Sequence, residues 1–91
     1  DADYLARLHD QLPPLLDRVR PDLVFYLAGV DPHQEDRLGR LSLTDAGLLA
    51  RDTYVLRTCL AVCPVVGVIA GGYDEIDRLA VRHANLHRAA A

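Results

Sequence analysis

Two short apolar segments, each followed by a glycine-containing turn, constrain the fold of this chain more than any other feature. The first is Leu23–Ala28 and the second is Pro64–Ala70. Runs of this length that are rich in Val, Leu and Ile predict strands buried on both faces, as in parallel sheets covered by helices. In such sheets, ligands bind just beyond the carboxyl ends of the strands. Asp31 follows the first predicted strand and Tyr73 follows the second.

Helical patterns occupy the segments before, between and after these strands. Apolar residues recur at helical spacing from Asp3 to Arg20, where Pro13–Pro14 predicts a kink or a break near Leu12. A second helix is predicted from the N-cap Thr44 to about Val62, with a wide apolar face. Asp74 is predicted to cap the last helix. One face of that helix carries Ile76, Leu79, Ala80, His83 and Leu86.

The order of these elements predicts an α/β fold with parallel strands and crossover helices, because a strand–helix–strand unit with buried strands is right-handed and parallel. Two parallel strands alone would both be edges, so further strands must come from additional sequence or from another copy. The sequence also contains no methionine. We therefore expect residues 1–91 to be an incomplete part of one domain of a longer protein.

Composition excludes several classes of function. The net charge is −3 and the ten basic residues are dispersed, so we expect no direct contact with nucleic acid. The longest apolar stretch, Leu60–Ala70, is too short for a membrane span and contains Pro64. The polar first residues carry no signal-peptide pattern, which favours the cytoplasm. There is no lysine for Schiff-base chemistry, and Cys59 and Cys63 are predicted to be small buried residues.

A long loop, of about fifteen residues from Gly29 to Leu43, separates the first strand from the second helix. Loops of this length are usually functional or disordered. Its leucines at 38, 41 and 43 predict that it folds back onto the core. Neighbouring strands lie about 5 Å apart, so Asp31 and Tyr73 could line one cleft. A carboxylate beside a phenol suits a metal site with an oxyanion-stabilising donor, although turn chemistry alone would also explain Asp31.

Three sequence blocks resemble one known family. They are PDLVFYLAGVD at 21–31, DRLGRLSLT at 36–44 and GGY at 71–73, in that order. Together they resemble the C-terminal part of the zinc-dependent histone deacetylase family, including its bacterial acetylpolyamine and acetoin-utilisation relatives. The similarity extends from about Tyr4 to His87. It implies that the chain is a C-terminal fragment of the three-layer arginase/deacetylase-like fold.

The resemblance also implies roles for individual residues. Asp31 matches the family's zinc ligand, and Tyr73 matches the tyrosine whose hydroxyl binds the substrate carbonyl and stabilises the oxyanion. Gly71 and Gly72 match glycines that allow the turn to approach the substrate closely. Ala70 stands where the family has its first glycine, a mild departure unless that position needs a positive φ. The implied cofactor is Zn²⁺, and the implied substrate is an acetylated lysine or polyamine.

The resemblance also shows what is missing. The family's other two zinc ligands form an Asp-x-His motif and its general base is a His-His pair, and neither motif precedes Asp31. Asp31–Pro32–His33 belongs to the later block, and His33 is expected to be a solvated loop residue. Catalytic zinc needs three protein ligands. We therefore expect these residues to supply one zinc ligand and the tyrosine, and to be inactive alone.

Two other interpretations remain. The chain could be a non-catalytic truncated remnant or interaction module of the same fold, with self-association through its exposed sheet edges. A phosphate-accepting receiver domain also has a strand that ends in Asp. That alternative needs an acidic pair after an earlier strand and a lysine after a later one, and this sequence has neither.

Overall fold

A computed structural model describes all residues from Asp1 to Ala91. It contains three helices and two strands, in the order α1 (Ala2–Val19), β1 (Val24–Ala28), α2 (Asp45–Leu60), β2 (Val65–Ile69) and α3 (Ile76–Ala90). The strands form a parallel two-stranded sheet in which Val24 pairs with Val65 and Ala28 pairs with Ile69. The predicted α/β organisation, with a helix crossing over between parallel strands, is confirmed. None of the helices is long and apolar enough to cross a membrane.

Helix α1 continues across both prolines, so the predicted break is not observed. Each proline removes one backbone donor from the helix interior. Apolar side chains before and after the prolines pack against α2, and this tertiary contact holds the helix together. Leu16 is buried against Val55 and Cys59, and Leu8 and Leu12 pack against the same cluster. The last helical residue is Val19, and the C-cap residue Arg20 has a left-handed backbone conformation (φ 50°). Pro21 follows directly.

Helix α2 is the central helix of the fold. The predicted N-cap is confirmed, because Thr44 Oγ1 accepts a hydrogen bond from the Gly47 amide at 3.0 Å. The helix contacts α1, α3 and β2, and its apolar residues form parts of all three core clusters. Cys59 is buried as predicted, and Cys63 is half-buried and free.

The sheet is covered on one face only. Val24, Tyr26 and Val65 lie on the face that packs against the helices. On the other face, Phe25 and Leu27 are 66% and 68% exposed, beside the exposed valines 66 and 68. Within residues 1–91 no element forms a layer on that side, so the predicted burial of the strands is observed on one face only. A contiguous apolar face of this kind marks an interaction surface.

The long loop is anchored at its two ends. Val30 and Leu43 are buried against Leu48 of α2, and His33 forms a parallel bridge with Leu43. The predicted packing of the loop onto the core is confirmed for Leu43. It is wrong for residues 38 and 41, which are exposed leucines. The loop is therefore held by backbone hydrogen bonds and by polar side chains between its ends.

Helix α3 differs from its predicted face and cap. The residue at its N-cap is Glu75, and Asp74 instead accepts a hydrogen bond from the Glu75 amide at 2.8 Å. Of the predicted face, Leu86 is buried and Leu79 and His83 are half-buried, whereas Ile76 and Ala80 are exposed. Arg82 and Asn85, which were not predicted to face inward, are also buried. Arg82 can be buried on this face because its guanidinium pairs with Glu35 of the long loop and with Asp74.

Candidate active site

The carboxyl ends of β1 and β2 meet at one edge of the sheet, which we call the rim. Because the strands are parallel and paired, the residues that follow Ala28 and Ile69 leave the sheet side by side. The Val30 amide donates to the Gly71 carbonyl at 2.6 Å and joins the two segments beyond the last strand pair. This bond brings the segment of Asp31 and the segment of Tyr73 together at the rim.

The Asp31 side chain lies against the backbone of both strand ends. A Cβ on Gly71 would lie 2.6 Å from Asp31 Oδ2, and a Cβ on Gly29 would lie 3.0 Å from Oδ1. A Cβ on Gly39 would overlap the Asp31 carbonyl oxygen. These three glycines are needed for close approach to Asp31, since no glycine in the chain has a positive φ. The half-buried carboxylate accepts no hydrogen bond from the chain itself.

The neighbouring positions of the turn are also tightly packed. A Cβ on Gly72 would lie 2.7 Å from Val30 Cγ2 and 3.0 Å from Leu79 Cδ2. Ala70 has no positive φ, so its methyl group meets no backbone restriction there. The substitution of the family's first glycine is therefore mild, as predicted. A glycine is needed at position 72 because the turn packs closely against the core, and not because the backbone adopts a positive φ.

Tyr73 is held by its backbone and leaves its side chain free. The side chain is 45% exposed at the rim, and its hydroxyl has no partner in the chain. Its amide donates to Asp36 Oδ2 at 2.7 Å, and its carbonyl accepts from the Arg37 amide at 2.8 Å. Consecutive residues of the long loop therefore bind both backbone polar groups of Tyr73.

Asp36 connects the long loop to the Tyr73 turn through three backbone amides. One carboxylate oxygen accepts from the amides of Leu38 and Gly39 at 3.0 and 2.9 Å, and the other accepts from Tyr73. Burial alone would raise the pKa of Asp36, but these amides, Tyr73 foremost, hold it below its ordinary value. The carboxylate is therefore ionised at neutral pH. Asp36 thus stabilises the loop through hydrogen bonds from backbone amides.

A buried polar network lies beneath the rim. Arg51 and Asp52 are 5% and 2% exposed, and Asp52 Oδ1 accepts from the Tyr26 hydroxyl at 2.5 Å. The Arg51 guanidinium is 2.9 Å from the same oxygen and donates to the Gly29 carbonyl at 2.7 Å. Burial and the Asp52 carboxylate both raise the pKa of the Tyr26 phenol, which stays neutral. The network thus holds the backbone two residues before Asp31.

The sequence interpretation missed this network, although a signal was present. Asp52 is four residues after Leu48 and three before Val55, so it falls on the apolar stripe of α2. A charged residue on such a stripe is buried only when it is paired. Tyr26, in the middle of an apolar strand, supplies a matching hydroxyl.

His33 is a second correction. It is 3% exposed and not solvated as predicted, because the loop folds it under residue 43. The Glu35 amide donates to His33 Nδ1 at 3.1 Å, so Nε2 carries the proton of the neutral ring and donates to Asp45 Oδ1 at 3.0 Å. Both ring nitrogens are therefore engaged in holding the loop to the start of α2.

Asp74, directly after Tyr73, anchors the turn to α3. Its buried carboxylate lies 3.0 Å from Arg82, with Arg78 and Arg37 at 3.9 and 3.7 Å. The Glu75 amide, followed by the guanidinium groups of Arg82 and Arg78, holds the pKa of Asp74 below its ordinary value.

His83 lies beneath the turn, with Nε2 placed 3.2 Å from where a Cβ on Gly72 would be. Burial and nearby Arg51 lower the pKa of this imidazole. Its buried Nδ1 has no hydrogen-bond partner.

One side chain at the rim, the carboxylate of Asp31, has atoms that could hold a metal. No group of three or more His, Cys, Asp or Glu side chains converges anywhere in residues 1–91. The Asp31 carboxylate has oxygen atoms that no hydrogen bond of the chain engages, at the end of a strand, where a metal could bind them. This donor fits zinc as a single ligand, and a catalytic site needs two more from outside these residues.

Comparison with known proteins identifies relatives over nearly the whole chain. Residues 1–89 match the family model described as the histone deacetylase domain. An uncharacterized protein of Picosynechococcus is 54% identical over 92 residues, which cover 99% of this chain and 31% of that protein. A probable deacetylase of Methanothermobacter thermautotrophicus is 33% identical, over 81% of this chain and 22% of that protein. Histone deacetylase 2 of Arabidopsis thaliana is 35% identical, over 78% and 19%. The chain thus spans less than a third of the length of each relative.

Proposed function

Because this chain belongs to the histone deacetylase family, we propose that it is the C-terminal part of a zinc-dependent deacetylase. The proposed reaction is hydrolysis of the amide bond in an acetylated lysine or an acetylated polyamine. One observation carries the proposal: the Asp31 carboxylate and the glycine turn before Tyr73 lie in contact at one rim. The rim is also the place where parallel sheets bind ligands.

Asp31 is the proposed zinc ligand of this segment. Its carboxylate lies against Gly29 and Gly71, and no hydrogen bond of the chain occupies its oxygens, so they are free to bind a metal. A bound zinc supplies an activated water at neutral pH and polarises the amide carbonyl. Asp31 contributes charge and orientation and takes no part in proton transfer. The network of Arg51 and Asp52 supports it from below through the Gly29 carbonyl.

Tyr73 is the proposed donor to the oxyanion that develops on the substrate carbonyl. Its hydroxyl is free of partners within the chain, and its side chain reaches solvent at the rim. A single oxyanion donor of this kind typically contributes about 2.7–4 kcal/mol to lowering the barrier. Gly71 and Gly72 are proposed to let the substrate approach the turn, since a Cβ on Gly71 would meet Asp31 and one on Gly72 would meet Val30 and Leu79, and either would displace the turn from its place at the rim.

A second candidate is a non-catalytic remnant or interaction module of the same fold. The observation that favours it is that one carboxylate is the whole metal-ligand set at the rim. The bare apolar face of the sheet would promote self-association of such a module. The two candidates differ in whether the protein that carries this segment also contains the Asp-x-His and His-His motifs.

The experiment uses the full-length protein and compares zinc content with deacetylation of an acetyl-lysine peptide and of an acetylated polyamine. Asp31→Asn is expected to lose stoichiometric zinc. Tyr73→Phe is expected to keep zinc and to lose kcat by about 100- to 1,000-fold. Tyr54→Phe, on α2 and stacked on His9, is the matched control and should behave as the wild type. Normal zinc binding by Asp31→Asn, or a normal kcat for Tyr73→Phe, would contradict the proposal.

The remnant candidate has its own test. Residues 1–91 alone are expected to bind no zinc stoichiometrically at micromolar concentration, whichever candidate is correct. If the full-length protein also binds none and hydrolyses neither substrate, the remnant is the correct interpretation.

A further inference from the structure

We propose that Asp36 is a positioning residue for Tyr73, and that it acts through the backbone of the Gly-Gly-Tyr turn without touching metal or substrate. This inference rests on the proposed function and deepens it. It assigns a task in the reaction to a loop carboxylate that lies five residues after the proposed zinc ligand.

The first argument is the way in which Tyr73 is attached. Almost half of its side chain is exposed, and its hydroxyl has no partner in the chain. No hydrogen bond within the chain therefore fixes the position of the phenol hydroxyl. Its backbone amide and carbonyl are instead bound by Asp36 and Arg37, at 2.7 and 2.8 Å. The direction of the phenol consequently depends on the long loop.

The second argument is the geometry of the carboxylate itself. Asp36 uses one oxygen for two amides of its own loop and the other oxygen for the Tyr73 amide. It thus closes the loop upon itself and connects it to the turn. A neutral amide side chain could not replace it, because it has a single acceptor oxygen and its nitrogen can only donate. Hydrogen bonds to an ionised acceptor are also roughly twice as strong as neutral ones.

The third argument concerns the remaining contacts of the turn. Arg37, the next residue of the loop, reaches Asp74 at 3.7 Å, while Arg82 binds Asp74 from α3 at 3.0 Å. The residue after Tyr73 is therefore fixed to the helix. Asp36 holds the amide on the other side of Tyr73, so the two carboxylates fix the turn from both sides of the tyrosine.

The test uses the full-length protein with Asp36→Asn, which keeps the side-chain volume and removes one acceptor. The expected kcat is roughly 10- to 100-fold lower, because a small displacement of a catalytic group has effects of this size. KM and zinc content should change little. Asp17→Asn, at an exposed position of α1, is the control.

A double variant separates positioning from general damage. If Asp36 acts through the phenol of Tyr73, then Asp36→Asn should cost little further kcat, less than about threefold, in a protein that already carries Tyr73→Phe. An equal loss of kcat in both backgrounds would overturn the inference. A normal kcat for Tyr73→Phe alone would instead contradict the proposed function, so the two failures are distinguishable.

Hydrogen exchange supplies a readout that does not depend on activity. The Tyr73 amide should exchange faster in Asp36→Asn than in the wild type, and Asp17→Asn should leave it unchanged. Unchanged protection of that amide would overturn the inference. If Asp36→Asn does not fold, Asp36→Glu, which keeps the charge and moves it by one methylene, is measured in the same way and should also lose protection.

Discussion

The buried Asp52 gives the sharpest test of what supports the rim. Its Oδ1 accepts from the Tyr26 hydroxyl and from Arg51 at 2.5 to 3.0 Å, and both charged side chains are almost fully buried. Asp52→Ala leaves the guanidinium without its counter-charge and the phenol without its acceptor. Removal of one partner of a buried ion pair typically costs about 3–5 kcal/mol of unfolding free energy.

Tyr26→Phe probes the same network more gently. It removes one hydrogen bond to a charged acceptor and leaves the pair of Arg51 and Asp52 in place. The expected cost is about 1.5–3 kcal/mol. The network therefore predicts an order, with Asp52→Ala clearly more destabilising than Tyr26→Phe. Because Tyr26 and Asp52 share one bond, the double variant should cost less than the sum of the two single variants.

The assay is urea unfolding of the full-length protein, followed by circular dichroism, for the two single variants and the double variant. Asp17→Ala on the exposed face of α1 is the control, with an expected change within about 0.5 kcal/mol. The reasoning is refuted if Asp52→Ala is no more destabilising than Tyr26→Phe, or if the two effects are additive.

Three further predictions follow from the packing and the charges. Gly71→Ala should weaken zinc binding by the full-length protein, because its methyl group would lie 2.6 Å from Asp31 Oδ2; an unchanged zinc affinity would disprove the close approach. Leu48→Ala, at a fully buried position, should cost about 2–5 kcal/mol in urea unfolding, whereas exposed Leu41→Ala should cost almost nothing. Folding lowers the pKa of Asp36. The stabilisation that ionised Asp36 gives the folded state is therefore complete above about pH 4 and is lost as the pH falls through the folded pKa. Stability measured against pH should therefore show the wild type and Asp36→Asn converging in acid, and a constant difference would contradict the assignment.

Much of the fold follows from local patterns. The two apolar runs, the Thr44 cap and the helical spacing of leucines identify the elements, because hydrophobic periodicity and caps act within a few residues. The parallel pairing also follows, since a helix between two buried strands leaves few alternatives. The kink or break predicted near Leu12 does not interrupt helix α1. Packing against α2 compensates for the local cost of the two prolines, and this packing cannot be read from the sequence alone.

The placement of charged side chains required the tertiary structure. Nothing near Arg82 in the sequence indicates that Asp74 and Glu35 approach it, and burial of His33 depends on a loop that folds back at Leu43. Electrostatic partners that are far apart in sequence are brought together only by the path of the chain.

Local patterns establish which elements form, that the strands are parallel, and which residue follows each strand at the rim. These properties depend on short-range periodicity and on the topology of crossovers. The hydrogen bond from the Tyr73 amide to Asp36 and the one from Arg51 to the Gly29 carbonyl depend instead on how the chain packs in three dimensions. Both are hydrogen bonds between segments more than twenty residues apart, and their geometry exists only after the helices, the loop and the sheet have packed together.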